Sequence, residues 1–420
     1  MEEKILTISV AAYNVEPYLS QTLQSLVGTP YLMNRLEVIV VDDGSTDRTS
    51  EIAKKYVELY PDTFVLITKE NGGHGSTLNV ATHYANGKYF RMLDGDDWYD
   101  TQELEKYIRE LETIDVDCVI TPYHQVYKEK TVSAGIQNME IRKQYNLTEL
   151  ISTQIQNGHM TEILAPEFAV KTDLLKNNGL CLLEKCMYTD KEYDLFVMLY
   201  SHTFMKLPYL IYQYRMGEMG QSVGIDGRKK YLLDTKKVVL SMLHTIDRRK
   251  EDVISREHLR WLYYYVLGTL QFFFESLSYA SEEVNTEEVL IKTMKEVEEI
   301  DERFAEYFKE YSTYFWWQWV FSLKYKLKDG QFVIFGAGQY GKRILQYLKN
   351  LQCQPIALVD NNASLWNEER YGYKIVEPSE LISKYHNMKI VIATKLYSME
   401  VEEQLFSMGV SEDRVISFRK

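Results

Sequence analysis

Cysteine is scarce and poorly spaced for metal work. The 420-residue chain has four, Cys118, Cys181, Cys186 and Cys353, and no Cys or His pair completes a zinc-type spacing around Cys181 and Cys186. Idle thiols in a reducing compartment are therefore expected. Basic charge is also short. A formal net charge of −13 argues against a general nucleic-acid binder, which needs a basic face, but leaves room for a nucleotide bound with a cation. No apolar run is long enough to cross a bilayer. Met1-Glu2-Glu3-Lys4 leads straight into a strand with no cleavage pattern, so a cytoplasmic protein is expected. Internal repeats and low-complexity tracts are missing as well. What remains is an ordinary globular composition, 45% hydrophobic and 26% charged, in a chain long enough for two or three domains.

Against that background two acidic turns stand out: Asp42-Asp43-Gly44-Ser45-Thr46-Asp47 and Asp94-Gly95-Asp96-Asp97-Trp98. Each follows an apolar, strand-like run, 36–41 and 88–93. Several carboxylates cannot be buried unpaired, because desolvating like charges together is very costly. They stay solvated or share a divalent cation. Strands at 38–41, 64–67, 89–93 and 116–120 alternate with helices near 46–60, 76–84 and 101–111, which predicts an α/β fold with a mainly parallel, doubly wound sheet. In such sheets ligands bind outside the carboxyl ends of the strands. Two acidic rims there suggest a metal-bound, polyphosphate-containing substrate. Asp47 or Thr46 is expected as a helix N-cap.

These motifs resemble the GT-A glycosyltransferases of the large inverting family 2, which take sugars from nucleotide-sugar donors. The resemblance begins at Ile8-Ser9-Val10-Ala11-Ala12-Tyr13-Asn14-Val15-Glu16. It runs through the Asp42 turn and Glu70-Asn71-Gly72-Gly73, with Asn79 downstream, to Asp94-Gly95-Asp96-Asp97, the DXD position of the family. It implies Mg²⁺ or Mn²⁺, hard cations held by few protein carboxylates together with phosphate oxygens. Asp96 would be the leading metal contact and Asp97 an additional ligand, with Asp94 on the donor sugar or ribose and Gly95 beside it. Asp43 would accept a hydrogen bond from the base, with Asp42 as its substitute. Backbone at Ala12, Tyr13 and Asn14 would line the nucleotide pocket, with Glu16 near the base or ribose, though turn chemistry accounts equally for Asn14. Gly72 and Gly73 would let backbone approach the donor, whereas Asn79 could instead cap a turn.

The resemblance also supplies a base. Tyr188-Thr189-Asp190-Lys191-Glu192 opens an apolar-periodic helix where family members commonly carry a Glu-Asp pair whose Asp deprotonates the acceptor. Asp190 matches, Thr189 departs, and Glu192 is the fallback. Tyr212-Gln213-Tyr214-Arg215 with Gln221-Ser222 resembles the segment that closes over the diphosphate, which makes Arg215 a phosphate contact. His74 and His159 lack partners in the sequence and read as structural.

Residues 122–219 look irregular and 227–327 helical. The aromatic stretch 311–321, followed by Lys324, Lys326 and Lys328, suits either core packing or peripheral membrane contact through 311–328. From Gly330 a new α/β unit begins. Gly336-Ala337-Gly338-Gln339-Tyr340-Gly341 follows a strand and opens a helix, and Asp360 ends the next strand, the context of a nucleotide-binding turn. Gly336, Gly338, Gly341 and Asp360 are its candidate contacts, although the unit is only half a dinucleotide-binding domain. The expected domains are a GT-A domain at 1–225, a helical region at 226–328 and a Rossmann-like domain at 329–420. The expected function is transfer of a sugar, from a UDP-sugar by preference, to a glycan or lipid-linked acceptor in surface polysaccharide synthesis, at the cytoplasmic side of the membrane. The alternatives are an NAD-dependent oxidoreductase or epimerase centred on the C-terminal glycines, and a non-catalytic assembly protein.

Overall fold

The computed structural model describes residues 3–156, 161–217, 222, 224–280, 284–310, 313–327, 330–394 and 397–418. The chain divides into two compact units, one of residues 1–221 and 233–269, the other of 222–232 and 270–420. The helical stretch expected as a region of its own is shared between them.

In the first unit strands and helices alternate through β1 (Leu6–Ala12), α1 (Glu16–Gln24), α2 (Pro30–Arg35), β2 (Leu36–Asp42), α3 (Thr49–Leu59), β3 (Phe64–Thr68), α4 (His74–Tyr84) and β4 (Tyr89–Asp94). Strands covered on both faces read as continuous apolar runs, and every residue of β2 is buried. Strands β3, β2, β1 and β4 lie side by side, all parallel. The connections reverse direction between β1 and β4, so a crevice opens at the carboxyl ends of these strands. There Ala12 lies beside Asp42 and Ala11 beside Asp94, which brings both acidic turns to one rim.

Beyond β4 the sheet is mixed. The chain continues through β5 (Trp98–Tyr99), α5 (Thr101–Leu111), β6 (Cys118–Ile120), β7 (Tyr123–Val126), β8 (Thr131–Ala134), β9 (Gln144–Asn146), α6 (Leu147–Gln156), β10 (Phe168–Lys171), α7 (Thr172–Asn177), α8 (Asp190–Tyr200), β11 (Thr203–Lys206) and β12 (Tyr212–Arg215). Strand β10 enters antiparallel between β4 and β6, and β11 and β9 complete eight strands. The mainly parallel sheet expected is thus a parallel half joined to a mixed half. Strands of three or four residues alternate too few times to betray themselves in sequence. A smaller sheet, β5-β12-β7-β8, sets Gln213 beside Trp98. Helix α3 has Arg48 at its N-cap, one residue past Asp47 and two past Thr46, the caps expected. Asp47 still holds that start, since its Oδ1 accepts the Thr49 N–H at 3.0 Å while Oδ2 accepts the Glu16 N–H at 3.1 Å.

Of the next helices, α9 (Ile225–Lys230) belongs to the second unit, α10 (Leu232–Arg248) almost wholly to the first, and α11 (Arg256–Tyr279) to both. The second unit adds α12 (Thr286–Ile300), α13 (Glu302–Glu310) and α14 (Thr313–Lys326), then β13 (Phe332–Phe335), α15 (Gln339–Asn350), β14 (Leu358–Val359), β15 (Glu369–Arg370), β16 (Tyr373–Val376), α16 (Glu380–Ser383), β17 (Lys389–Ile392), α17 (Ser398–Ser407) and β18 (Val415–Ile416). Its sheet runs β15-β16-β14-β13-β17-β18, parallel except for β15. Gly341 packs so closely on the Gly336 carbonyl that a side chain there would collide with it.

The tryptophans of α14 are buried. Trp316 meets Tyr340 edge-on at 5.4 Å, Trp319 meets Phe418 at 6.0 Å, and Phe321 meets Tyr347 at 5.4 Å. Of this stretch Phe315 and Tyr325 are exposed; Tyr311, Ser312 and Lys328 lie outside the described residues. Among the described residues no helix is long and apolar enough to cross a membrane.

Candidate active site

The second acidic turn is held from below. The Gly95 N–H donates to the Ala11 carbonyl at 3.0 Å. The buried Thr22 hydroxyl meets the carbonyls of Gly95 and Asp97 at 2.9 and 2.7 Å. The three carboxylates then divide. Asp97 is buried, and its two oxygens accept from the Tyr212 hydroxyl and the Arg215 N–H, both at 2.7 Å. Burial, with the charges of Asp94 and Asp96, pushes its pKa well above the ordinary value. Asp94 is partly exposed, and its Oδ1 lies 3.2 Å from His74 Nε2. Asp96 is also partly exposed; burial and the Asp94 charge lift its pKa to about 6. Arg215 donates from Nε to the Asp96 carbonyl at 2.8 Å, and its guanidinium lies over the rings of Trp98 and Tyr18.

This rim fits a hard divalent cation. Among the described residues no three His, Cys, Asp or Glu side chains converge on one point, so nothing resembles a closed zinc or calcium cage. Mg²⁺ and Mn²⁺ need only one or two carboxylates when phosphates supply the rest. A carboxyl whose pKa is raised by a neighbouring carboxylate is one whose charge a cation would relieve.

The first acidic turn is internally saturated. Asp43 is buried; its Oδ1 accepts from Lys69 Nζ at 2.6 Å and the Gly72 N–H at 2.8 Å, and its Oδ2 from the Gly73 N–H at 2.7 Å. The carboxylate expected to read the base thus organises the turn 69–73, and the amides of Gly72 and Gly73 face it. Asp42 Oδ1 accepts the Ser45 N–H at 3.0 Å. Asn14, at φ +52°, donates its N–H to Ser45 Oγ and accepts the Thr46 N–H at 2.8 Å. Glu16 accepts the Arg48 N–H at 3.1 Å. Tyr13, just before Asn14, is about half exposed.

Helix α8 begins at Asp190, behind a loop that rests on the glycine turn. The Lys185 N–H donates to the Gly72 carbonyl. Asn79 exchanges two hydrogen bonds with the backbone of Leu182, at 3.0 and 2.8 Å. A side chain at Gly75 would strike the Leu183 carbonyl. Asn79 and these glycines therefore seat the loop before Asp190. Glu192 is buried and accepts the Leu183 N–H at 3.2 Å. Lys185 and Tyr188 hold positive φ, +51° and +65°, which costs non-glycine residues energy and recurs at functional sites.

Two residues, His74 expected to be structural and Tyr214 given no role of its own, connect these parts. His74 contacts Asp94 with Nε2, and its Nδ1 lies 3.5 Å from the Thr189 hydroxyl. Burial would lower its pKa, but the Asp94 hydrogen bond and the charges of Asp94, Asp190 and Asp43 outweigh it and raise the pKa. Tyr214, whose pKa is raised by burial, also feels the charges of Asp94, Asp97, Asp190 and Asp96. Thr189, the residue before Asp190, is thus linked to the DXD turn through His74. His74 sits directly after Gly72-Gly73, and that adjacency was the available signal. His159 and Gln221 lie outside the described residues. In the second unit Asp360 does reach the glycine turn, but its Oδ2 accepts the Ala337 N–H at 2.8 Å and its Oδ1 the Asn362 N–H at 2.9 Å. Gly336 takes φ +113°, and the space beside Gly338 is open.

Residues 7–175, which contain β1 to β4 and both acidic turns, match the family model Glycosyl transferase family 2. Residues 328–416 match a second model, C2185-like, N-terminal. Over 173 residues the chain is 27% identical to the minor teichoic acid biosynthesis protein GgaB of Bacillus subtilis, covering 41% of this chain and 18% of that protein. It is 32% identical over 138 residues to the putative glycosyltransferase EpsH of the same organism, covering 32% and 39%. It is also 32% identical over 124 residues to the glycosyltransferase GlyA of Streptococcus pneumoniae, covering 30% and 17%. The chain thus spans well under half the length of these relatives. Among solved structures, S. aureus TarS 1–349 in complex with UDP-GlcNAc is similar at a TM-score of 0.49 and 21% identity, over 77% of this chain and 91% of that one. The mannosyltransferase PcManGT from Pyrobaculum calidifontis, in complex with GDP-Man and Mn²⁺, is similar at 0.43 and 16%, over 78% and 89%. Likenesses this distant carry no detail of the site.

Proposed function

We propose that the protein is a metal-dependent inverting glycosyltransferase that moves a sugar from a nucleotide-sugar donor, a UDP-sugar by preference, to a glycan or lipid-linked acceptor of a surface polysaccharide. The observation that carries this reading is the meeting of three elements at one crevice: the partly exposed pair Asp94 and Asp96, the His74 imidazole, and the head of α8 with Asp190. Asp96 and Asp94 would hold Mg²⁺ or Mn²⁺, and that cation, when bound, supplies Lewis-acid stabilisation of the departing diphosphate. Asp97 supports the rim from inside, because both of its oxygens are engaged. Asp190 accepts the acceptor hydroxyl's proton as that oxygen attacks the anomeric carbon from the face opposite the leaving group, which inverts the configuration. Glu192 faces the loop and is set aside. Arg215, tied to the backbone of Asp96, would tune the diphosphate end. Asp43 would act on the base side through the turn it organises, and Ala12, Tyr13 and Asn14 would line the nucleotide pocket.

On this reading the domain at 1–225 does the chemistry, and the Rossmann-like part from 329 is an accessory module that would hold a nucleotide at Gly336, Gly338 and Gly341. An oxidoreductase centred there gains no support, since both Asp360 oxygens already accept backbone N–H groups, those of Ala337 and Asn362. The reaction is assigned to the cytoplasmic side. Peripheral membrane contact through 311–328 would have to use Phe315, Tyr325 and the lysines, as the tryptophans are buried.

The test is release of free nucleotide from UDP-, GDP- and CDP-sugars by the full chain, with and without Mn²⁺. Mn²⁺-dependent release from one donor class is expected. If none of the donors is turned over or shifts the melting temperature, the reading is wrong.

A further inference from the structure

Both ring nitrogens of His74 are occupied by elements that differ in role. Nε2 lies 3.2 Å from Asp94 Oδ1 on the strand-end turn, and Nδ1 lies 3.5 Å from the hydroxyl of Thr189. Thr189 is fully buried and stands at the N-cap of α8, yet its side chain makes no capping bond to the helix. Its hydroxyl is therefore free of the role such residues usually take at helix starts, and it meets the imidazole instead. His74 is itself fixed from behind. It opens α4 directly after Gly73, which holds φ +82° and donates its N–H to Asp43. The ring thus stands where the DXD turn, the glycine turn and the helix bearing Asp190 converge. Nε2–H donates to the carboxylate, and Nδ1 pairs with the threonine hydroxyl.

We propose that His74 is a positioning residue that ties the Asp94 carboxylate to the head of α8, holding the donor rim and the base Asp190 at a fixed separation. The proposal rests on the transferase reading above. Its chemistry is orientation: an acceptor oxygen, the base and the anomeric carbon must meet at near-attack geometry, and a misplacement on the order of 1 Å costs about a hundredfold in rate. Deleting the bridge should leave most donor affinity in place, because Asp96 and the first acidic turn are not held by it and the Asp94 backbone is fixed beside Ala11 at the end of β4, and should loosen the start of α8.

His74→Ala and His74→Gln in the full chain test this by two measurements. Hydrogen–deuterium exchange at amides 189–193 should rise about tenfold in His74→Ala, reflecting local opening. UDP release from the donor that the wild type accepts should lose about tenfold to a hundredfold in kcat, with KM for that donor within about threefold. In His74→Gln, whose side-chain amide still donates toward Asp94, part of kcat should return. Should His74→Ala fail to fold, Thr189→Val removes only the hydroxyl and should raise exchange over the same amides. Wild-type exchange at 189–193 in folded His74→Ala or Thr189→Val overturns the bridge, as does a variant whose loss lies in KM. If the wild type itself turns over no donor, the transferase reading fails while exchange still decides whether His74 holds the helix.

Discussion

At Asp96 the side chain is partly exposed and its charge is disfavoured by burial and by Asp94, so Asp96→Asn should relieve repulsion and leave the melting temperature unchanged or raised. Mn²⁺-dependent binding of UDP, measured by calorimetry, should drop by at least about tenfold; unchanged affinity would remove Asp96 from the metal site. Asp190→Asn should behave in the opposite sense. UDP binding survives while turnover falls by about a hundredfold or more, the scale of a lost general base, and near wild-type turnover would leave Asp190 a helix-start residue. These two proposed roles were suggested by sequence, because each rests on one motif in order along the chain. The interior role of Asp97 and the saturation of Asp43 were not, because the partners Tyr212, Arg215 and Lys69 are supplied by folding. Glu167 shows what such an interior carboxylate does to stability. Burial raises its pKa to about 7, against the N–H groups of Ile136 and Leu164 that it accepts, which pull it down. Between its ordinary value and pH 7 the folded state keeps a proton that the unfolded chain has released, so stability falls as pH rises through that window. Glu167→Gln should flatten this loss, which is at most on the order of 3 kcal/mol. Urea midpoints at pH 5 and pH 8 measure it, and equal pH slopes in both proteins would rule the effect out.

Helix α4 shows how an element carries a site without touching a substrate. Its first turn begins at His74, and its Gly75 and Asn79 receive the loop before α8 at Leu182 and Leu183. A Cβ at Gly75 would collide with the Leu183 carbonyl and press on the side chains of Leu182 and Thr189. Backbone cannot yield as a flexible side chain does, so Gly75→Ala should displace the loop and the base it introduces. Turnover should fall by about a hundredfold, with Mn²⁺-dependent UDP affinity little changed and the melting temperature lower by a few degrees. An active Gly75→Ala protein would show that the loop has room to move. The glycines were visible in sequence as a place of close approach, but the sequence could not say what approaches. They pack against another piece of this chain, more than a hundred residues away, and such pairings leave no local period. The long strands β2 and β4 were readable for the converse reason: their apolar runs are local and end in the acids that mark the rim. The short strands β10 and β11, which turn the sheet from parallel to mixed, have four residues each and present no pattern to read.

For the molecule as a whole, composition and glycine placement suggest a break near residue 328, whereas packing joins the two sides of it. Helix α14 lies before that point, yet Trp316, Trp319 and Phe321 meet Tyr340, Phe418 and Tyr347, which all lie after it. The Tyr347 hydroxyl also donates to the Phe321 carbonyl at 3.0 Å. A chain ended after Leu327 would therefore strip three large aromatics of their partners. Buried aromatics of this size cover roughly 150–250 Å² each, and each ring pair adds about 0.5–1.5 kcal/mol beyond the buried area. The shortened chain should expose an apolar patch, bind a hydrophobic dye more strongly than the full chain, and self-associate in size-exclusion chromatography. Its first unit keeps β1 to β4, α8 and the crevice, so Mn²⁺-dependent UDP release should persist in whatever fraction stays monomeric. A shortened chain that is monomeric, dye-free and active would show that α14 does not depend on the C-terminal sheet. One that is monomeric and folded but inactive would show that the residues after 327 contribute directly to turnover, and the division of labour proposed here would be wrong.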